Sequence, residues 1–104
     1  MKCKPQLLPR QSRELALVGE NLRLARLRRR LSASLVAERA GISRATLHKI
    51  ERGNPSVAMG NYFGVLNALG MAEDFLRIGR DDELGRLVQD AALPHRRRSG
   101  GKSS

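Results

Sequence analysis

The sequence is poor in the residues from which a metal site, a disulfide or a membrane span is built. Its 104 residues include one cysteine, Cys3, two histidines, His48 and His95, and no tryptophan. A single cysteine forms no internal disulfide, and with two separated histidines it completes no zinc site of four ligands. No apolar run approaches the roughly 18 residues of a membrane-spanning helix. We therefore expect no metal, no cofactor and no membrane contact.

Groups for catalysis are also scarce. No Ser or Cys nucleophile and no carboxylate accompany His48 at a recognisable spacing, so we interpret this histidine as solvated or phosphate-facing and expect no enzyme. Aromatic residues make up 3% of the chain, which counts against stacking platforms for single-stranded nucleic acid. Residues 1–8 contain charge but no apolar stretch of signal-peptide length. We therefore expect a protein of the reducing cytoplasm.

Positive charge, in contrast, is abundant and unevenly placed. Twenty Lys and Arg against ten Asp and Glu leave a net charge of +10. Residues 19–53 carry nine basic and three acidic side chains, whereas residues 54–95 carry three basic and six acidic ones. A basic segment with basic ends is typical of proteins that bind nucleic acid. Duplex DNA is the expected partner class, with a cytoplasmic, nucleoid-associated location.

Composition divides the chain into four expected parts. Pro5 and Pro9 disfavour a helix at the start, so residues 1–13 are predicted to be a flexible basic arm. Residues 14–79 have helical apolar periodicity and are expected to form the DNA-binding domain. Residues 80–93 are a C-terminal extension with a helical pattern. Residues 94–104 have the composition of a disordered basic tail.

The apolar periodicity predicts an all-α protein, a compact bundle of about five helices without strands. Helix 1 is expected from about Glu14 to Arg29. Ser32 and Ser43 are expected to be the N-caps of two short helices that end at Gly41 and Gly53. The predicted inward stripe of helix 1 is Leu15, Val18, Leu22 and Ala25.

Three further helices are expected in the second half. The fourth stops at Gly70, and its Gly60 and Gly64 each cost about 1 kcal/mol relative to Ala, which suggests close backbone approach. A fifth is predicted at 73–78 and a sixth at 82–91. The expected apolar faces are Met59, Tyr62, Phe63, Leu66 and Leu69 in the fourth helix, and Leu84, Leu87, Val88 and Ala91 in the sixth.

Residues 33–52 meet the demands of two helices packed across a short turn. Ala37 is small where the helices cross, Gly41 tolerates positive φ at the turn, and Ile42 fills the corner. The inward positions are predicted to be Val36, Ala40, Leu47 and Ile50. The outward positions are then Arg44, Ala45, His48, Lys49 and Arg52, which are side chains suited to DNA.

These motifs give residues 19–70 a clear resemblance to the Xre/Cro-type helix-turn-helix family of phage repressors and bacterial regulators. The matching pieces, in the right order and spacing, are Ala37-x-x-x-Gly41, Gly41-Ile-Ser-Arg-x-Thr46, and Ile50-Glu-Arg-Gly53 followed by Asn54-Pro55. The resemblance implies a lambda-repressor-like DNA-binding domain. The alternative is a plain helical bundle whose outward charges are only solvated.

In that family the second helix crosses a phosphate backbone and the third lies in the major groove. The resemblance implies that the base-reading residues are Arg44, Ala45, Thr46 and Lys49. It implies phosphate contacts by Ser32, Ser43, His48, Arg52 and Asn54. One departure is Ala33, which stands where the family often places a Gln that contacts the backbone. The tail arginines, Arg96, Arg97 and Arg98, are expected to attract phosphates of any sequence.

A second resemblance, to HipB-like antitoxins, covers more of the chain. The resembling pieces are Leu22-Arg-Leu-Ala-Arg-Leu-Arg-Arg-Arg-Leu-Ser, Gly53-Asn-Pro-Ser-Val-Ala-Met-Gly, Val65-Leu-Asn-Ala-Leu-Gly and Leu93-Pro-His-Arg-Arg-Arg. Such proteins repress their own operon as dimers and bind a HipA-type Ser/Thr kinase toxin. The resemblance therefore implies a homodimer on a palindromic operator. Separately, we expect the acidic half of the chain, from the fourth helix onward, to form the dimer surface.

Helix 1 also carries a second apolar stripe, on the side opposite the first. Its members, Leu17, Leu24 and Leu27, are candidates for contact with a protein partner; packing against residues 5–13 or 84–93 is an equal alternative. Two other functions remain open at this point. One is a stand-alone Xre-type regulator, and the other is a basic adaptor that binds an acidic protein and never DNA.

Overall fold

The computed structural model describes residues 6–92, and within that range the chain is helical with no strand. The helices are α1 (Pro9–Arg28), α2 (Ala33–Ala40), α3 (Arg44–Glu51), α4 (Met59–Ala68), α5 (Ala72–Leu76) and α6 (Glu83–Ala92). The all-α expectation is confirmed. The expected tail at 94–104, with Arg96, Arg97 and Arg98, and the first five residues of the expected arm lie outside the described residues. No described helix is long and apolar enough to cross a membrane.

The first helix begins at Pro9, five residues before the expected Glu14. Proline suits this first helical position because its fixed φ matches the helix and the N–H that it lacks would have no partner there. Leu8 precedes it in an extended conformation, and its N–H donates to Gln11 Oε1 at 3.0 Å. Residues 9–13 are thus helical, and the prediction of an arm extending to residue 13 is wrong for them.

The core is formed by residues of α1 to α4 and the residue that ends α4. Its buried members are Leu22, Ala25, Val36, Ala37, Leu47, Ile50, Val65 and Leu69. The expected inward stripe of α1 is correct at Leu22 and Ala25, but Leu15 is half-buried and Val18 is 45% exposed. The position beside Val18 is the buried one, and it is Gly19.

Gly19 is buried because α1 crosses the end of α3 at backbone contact. A Cβ on Gly19 would lie 2.6 Å from the carbonyl oxygen of Ile50, and one on Gly53 would lie 2.5 Å from the Cα of Ala16. Gly53 also has φ +74, which disfavours any other residue. Two glycines therefore set how closely α1 and α3 approach.

The fourth helix packs on α2, and its expected apolar face is confirmed at Leu69, which is buried, and at Tyr62 and Leu66, which pack against the core. Val65 is fully buried, whereas Met59, predicted to face inward, is exposed. Gly64 allows the expected close approach, since a Cβ there would lie 3.3 Å from the carbonyl oxygen of Ala40. Gly60 has open space around it, so the same prediction is wrong for this glycine.

The last two helices contribute nothing fully buried. Phe75 of α5 packs on Phe63 of α4 with ring centroids 4.7 Å apart. The sixth helix forms as expected, with the carboxylate of Asp82 accepting from the N–H of Gly85 at 3.0 Å. Its apolar face, Leu84, Leu87, Val88 and Ala91, is exposed.

Candidate nucleic-acid interface

The second and third helices begin with the same serine cap. Ser32 Oγ accepts from Leu35 N, and Ser43 Oγ accepts from Thr46 N, both at 3.0 Å. Between the helices Gly41 has φ +72, and Ile42 N donates to Ala37 O at 3.0 Å. The chain therefore turns in three residues, because a left-handed glycine ends α2 and a serine starts α3.

One face of the third helix is packed in the core. Leu47 and Ile50 are buried against Val36 and the rest of the core. The opposite face carries five exposed residues: Arg44, Ala45, His48, Lys49 and Arg52. The predicted inward and outward sides of this helix are confirmed.

Thr46 and Ser43 are engaged with each other as well as with the backbone. The Ser43 hydroxyl donates to Thr46 Oγ1 at 3.0 Å while accepting from the Thr46 N–H. Thr46 is also half-buried. Its hydroxyl is fixed beside the start of α3, and its role in reading bases stays a prediction.

The cations of α3 meet few counter-charges. Among residues 6–92, no ion pair involves Arg44 or Lys49. Arg52 Nη1 lies 3.4 Å from His48 Nε2, so two of the expected phosphate-binding side chains share one end of the helix. An exposed helical face with unneutralised cations attracts polyanions.

Asn54 has a structural role that the sequence did not indicate. Its Oδ1 accepts from Ser56 N at 2.7 Å, and its backbone carbonyl accepts from the Tyr62 hydroxyl at 2.8 Å. Burial raises the pKa of Tyr62, so the hydroxyl stays protonated and donates. These bonds shape the loop that follows α3, and a phosphate contact by Asn54 stays a prediction.

An ion pair absent from the sequence predictions ties α3 to α1. Arg26 Nε and Nη2 donate to the two carboxylate oxygens of Glu51 at 2.8 and 3.1 Å, and Arg26 Nη1 also donates to Leu31 O. The side chains are only 13% and 9% exposed. The signal that could have found the pair is a lone acidic residue in an otherwise basic α3. The Arg26–Glu51 ion pair helps to position the helix that carries Arg44 and Lys49.

The starts of α2 and α3 and the end of α1 line one open groove. Its polar members are Arg26 and Glu51, which neutralise each other, together with Arg44 and His48. Ala33, which stands where the resembling family often has a Gln, also lines this groove. Across residues 6–92, no group of three His, Cys, Asp or Glu side chains is placed to hold a metal ion.

Two short helices joined by a glycine turn, the second presenting exposed cations, define a helix-turn-helix domain, the class of fold that DNA-binding regulators use. The family model described as helix-turn-helix domain matches residues 17–77. The chain therefore belongs to the helix-turn-helix domain family, in agreement with its resemblance to Xre-type proteins. No curated protein and no solved structure matches the chain.

Proposed function

We propose that this protein is a sequence-specific repressor that binds duplex DNA through α3. The observation that carries the proposal is the exposed face of α3, with Arg44 and Lys49 in no ion pair of the described residues. The opposite face of the same helix is locked into the core through Leu47 and Ile50. A rigid support with unpaired donors suits direct reading of base edges.

The proposed roles follow the position of each side chain on α2 and α3. Arg44 and Lys49 would donate to guanine O6 and N7, while the methyl groups of Ala45 and Thr46 would pack on thymine. Phosphates would be bound by Ser32, Ser43, His48, Arg52 and Asn54. Ser32 and Ser43 cap the N-termini of α2 and α3, where backbone N–H groups also favour anions.

A homodimer on a palindromic operator is part of the proposal. One recognition helix reads few base pairs, and proteins of this class pair half-sites about one helical turn, roughly 34 Å, apart. The exposed apolar face of α6 is the surface that a second copy would bury. It lies in the acidic second half of the chain, which DNA would repel, so a dimer contact there would leave the basic face free.

The antitoxin role is the narrower proposal: a HipA-type kinase toxin as partner, and repression of the operon that encodes the pair. Its support is the sequence resemblance together with Leu17 and Leu27, which are exposed on α1, and Leu24, which is half-buried. The double variant Leu17→Lys, Leu27→Lys is expected to keep the fold and DNA binding while losing capture of a co-expressed HipA-type kinase. Full capture by the variant would remove the stripe from the proposal.

The DNA-binding proposal is tested by mobility shift of Arg44→Ala on two duplexes. One is the segment footprinted upstream of the protein's own gene, and the other is a random duplex of equal length. We expect the variant to lose about 1 to 3 kcal/mol on the footprinted site and little on the random one. Equal loss on both would show that α3 does not read sequence.

A chain ending at Pro94 separates general attraction from reading. Loss of Arg96, Arg97 and Arg98 is expected to weaken both duplexes alike and to lower the salt dependence by close to one unit per lost phosphate contact. An unchanged salt dependence would show that the tail does not touch DNA. If the intact protein shifts no duplex at all, the basic adaptor becomes the better explanation of the charged face.

A further inference from the structure

Four helices of this protein end in the same way. At each end, one backbone N–H donates to the carbonyl three residues back, and the next N–H donates to the carbonyl five residues before it. The residue at the bend must adopt positive φ, and glycine is the usual choice. Gly41, Gly53 and Gly70 occupy this position after α2, α3 and α4.

The end of α1 departs from this rule. Arg30 N donates to Leu27 O at 2.9 Å and Leu31 N donates to Arg26 O at 3.2 Å, which is the same pair of bonds. The residue at the bend is Arg30, with φ +56, and it is the one non-glycine residue with positive φ among residues 6–92. An arginine in this conformation is strained, so its side chain needs another reason to be there.

Two of the arginines near Arg30 have partners within the protein. Arg26 is neutralised by Glu51, and Arg29 Nη1 donates to Ala25 O at 3.0 Å, as cations near a helix C-terminus do. Within the described part of the chain, Arg28 and Arg30 take part in no ion pair. Arg30 is exposed and therefore available to a ligand.

The position of Arg30 in the chain indicates which ligand it would bind. Arg26 and Ala33, which precede and follow Arg30, both line the groove shared with Arg44 of the recognition helix. The turn that carries Arg30 therefore joins two residues of this groove and borders the face proposed to meet DNA. A guanidinium at this turn suits the phosphodiester backbone beside the bases that α3 would read.

We propose that Arg30 is a DNA phosphate contact, placed at the turn after α1 at the expense of backbone strain. The inference rests on the proposed function, since it needs duplex DNA on the α3 face. It predicts opposite effects on stability and binding. Replacing Arg30 with a residue that accepts positive φ relieves the strain and removes the contact.

The test uses Arg30→Asn in the full chain, since Asn tolerates positive φ and carries no charge. We expect a thermal midpoint equal to or above that of the parent. Affinity for both the footprinted and the random duplex should fall roughly three- to tenfold, and the salt dependence should drop by about 0.9 units. Arg30→Lys, which keeps the charge, should retain most of the affinity.

The matched control is Arg13→Gln, which removes one charge from the same helix about 22 Å away from its C-terminal end. It should bind both duplexes as the parent does. Arg30→Asn binding like the parent would overturn the inference while leaving the proposed function intact. Equal weakening by Arg13→Gln would also overturn it, because net charge alone would then account for the loss. A parent protein that shifts no duplex overturns both.

Discussion

The third and sixth helices have the same kind of sequence and opposite environments. Both are short and amphipathic, with eight residues in α3 and ten in α6. In α3 the apolar face is buried, with Leu47 1% exposed, whereas in α6 Leu87 is 66% exposed. An amphipathic pattern predicts that a helix has a face to cover, but it does not say whether the same chain covers it.

The difference arises from what lies next to each helix. The main helix pairs are α1 with α3, α2 with α3, α2 with α4, and α4 with α5, and α6 belongs to none of them. A glycine crossing and the Arg26–Glu51 ion pair join α3 to α1. At the start of α6, Asp82 caps the helix, and Arg86 forms an exposed pair with Asp81 at 3.9 Å.

The largest expected contrast comes from adding one methyl group to a glycine near each helix. In Gly19→Ala the new Cβ would meet the backbone of Ile50 and Gly53, which neither helix can move without opening the crossing. We expect a loss of about 4 kcal/mol in the free energy of unfolding. In Gly85→Ala the Cβ would meet only the flexible carboxylate of Asp82. Since an alanine gains helix propensity as the cap is lost, the net change should stay within about 1 kcal/mol.

Thermal unfolding of both alanine variants measures this contrast. For a domain of this size, about 4 kcal/mol corresponds to a fall of at least roughly 16 °C in Tm. A Gly19→Ala protein that melts with the parent would show that α1 and α3 are less tightly joined than the backbone distances imply.

The second contrast applies one substitution to both apolar faces. Leu47→Ala opens a cavity in the core and should cost about 3 kcal/mol. Leu87→Ala should change the stability of the monomer by less than about 0.5 kcal/mol, because solvent already reaches the side chain. Chemical denaturation at low protein concentration measures both.

The same Leu87→Ala variant tests what covers α6. If a second copy covers it, as proposed, the variant should dissociate at higher concentration than the parent in sedimentation experiments. A strongly destabilised Leu87→Ala monomer would contradict the exposed position of this residue, and identical self-association would move the dimer contact elsewhere.

The smallest contrast compares two arginines. Arg26→Met leaves the nearly buried carboxylate of Glu51 without its partner and should cost about 2 kcal/mol, less than a fully buried pair would because some solvent still reaches it. Arg86→Met removes an exposed partner of Asp81 and should cost no more than about 1 kcal/mol. Urea unfolding of both variants distinguishes them, and equal losses would mean that the Arg26 pair is no stronger than a surface pair.

Much of the site could be predicted because its signals are local. The caps Ser32 and Ser43 and the turn at Gly41 act within three or four residues, so their chemistry is visible in the sequence. The two sides of α3 follow from its period. The same logic succeeded for the position of α6, whose pattern is regular even though no core supports it.

Two of the misses have a common origin in contacts between distant residues. The helical period places Val18 on the inward side, but Gly19 occupies that side because α3 passes there at backbone contact. The pairing of Arg26 with Glu51 joins residues 25 positions apart, and although Glu51 is the lone acidic residue of α3, no local pattern indicates which distant cation it pairs with. The third miss is local: a proline disfavours the interior of a helix, but Pro9 is the first residue of α1, where the N–H that it lacks would have no partner.

For this protein the sequence by itself determined the helical class, the turn between α2 and α3, and which residues of α3 face away from the core. These depend on capping, on glycine at positive φ and on a period of 3.6 residues, which act over one or two turns. Only the tertiary structure decided how closely α1 and α3 approach, that Arg26 is neutralised while Arg30 is not, and that α6 stays uncovered. Each of these depends on which distant surfaces meet, and that is set by packing of the whole chain.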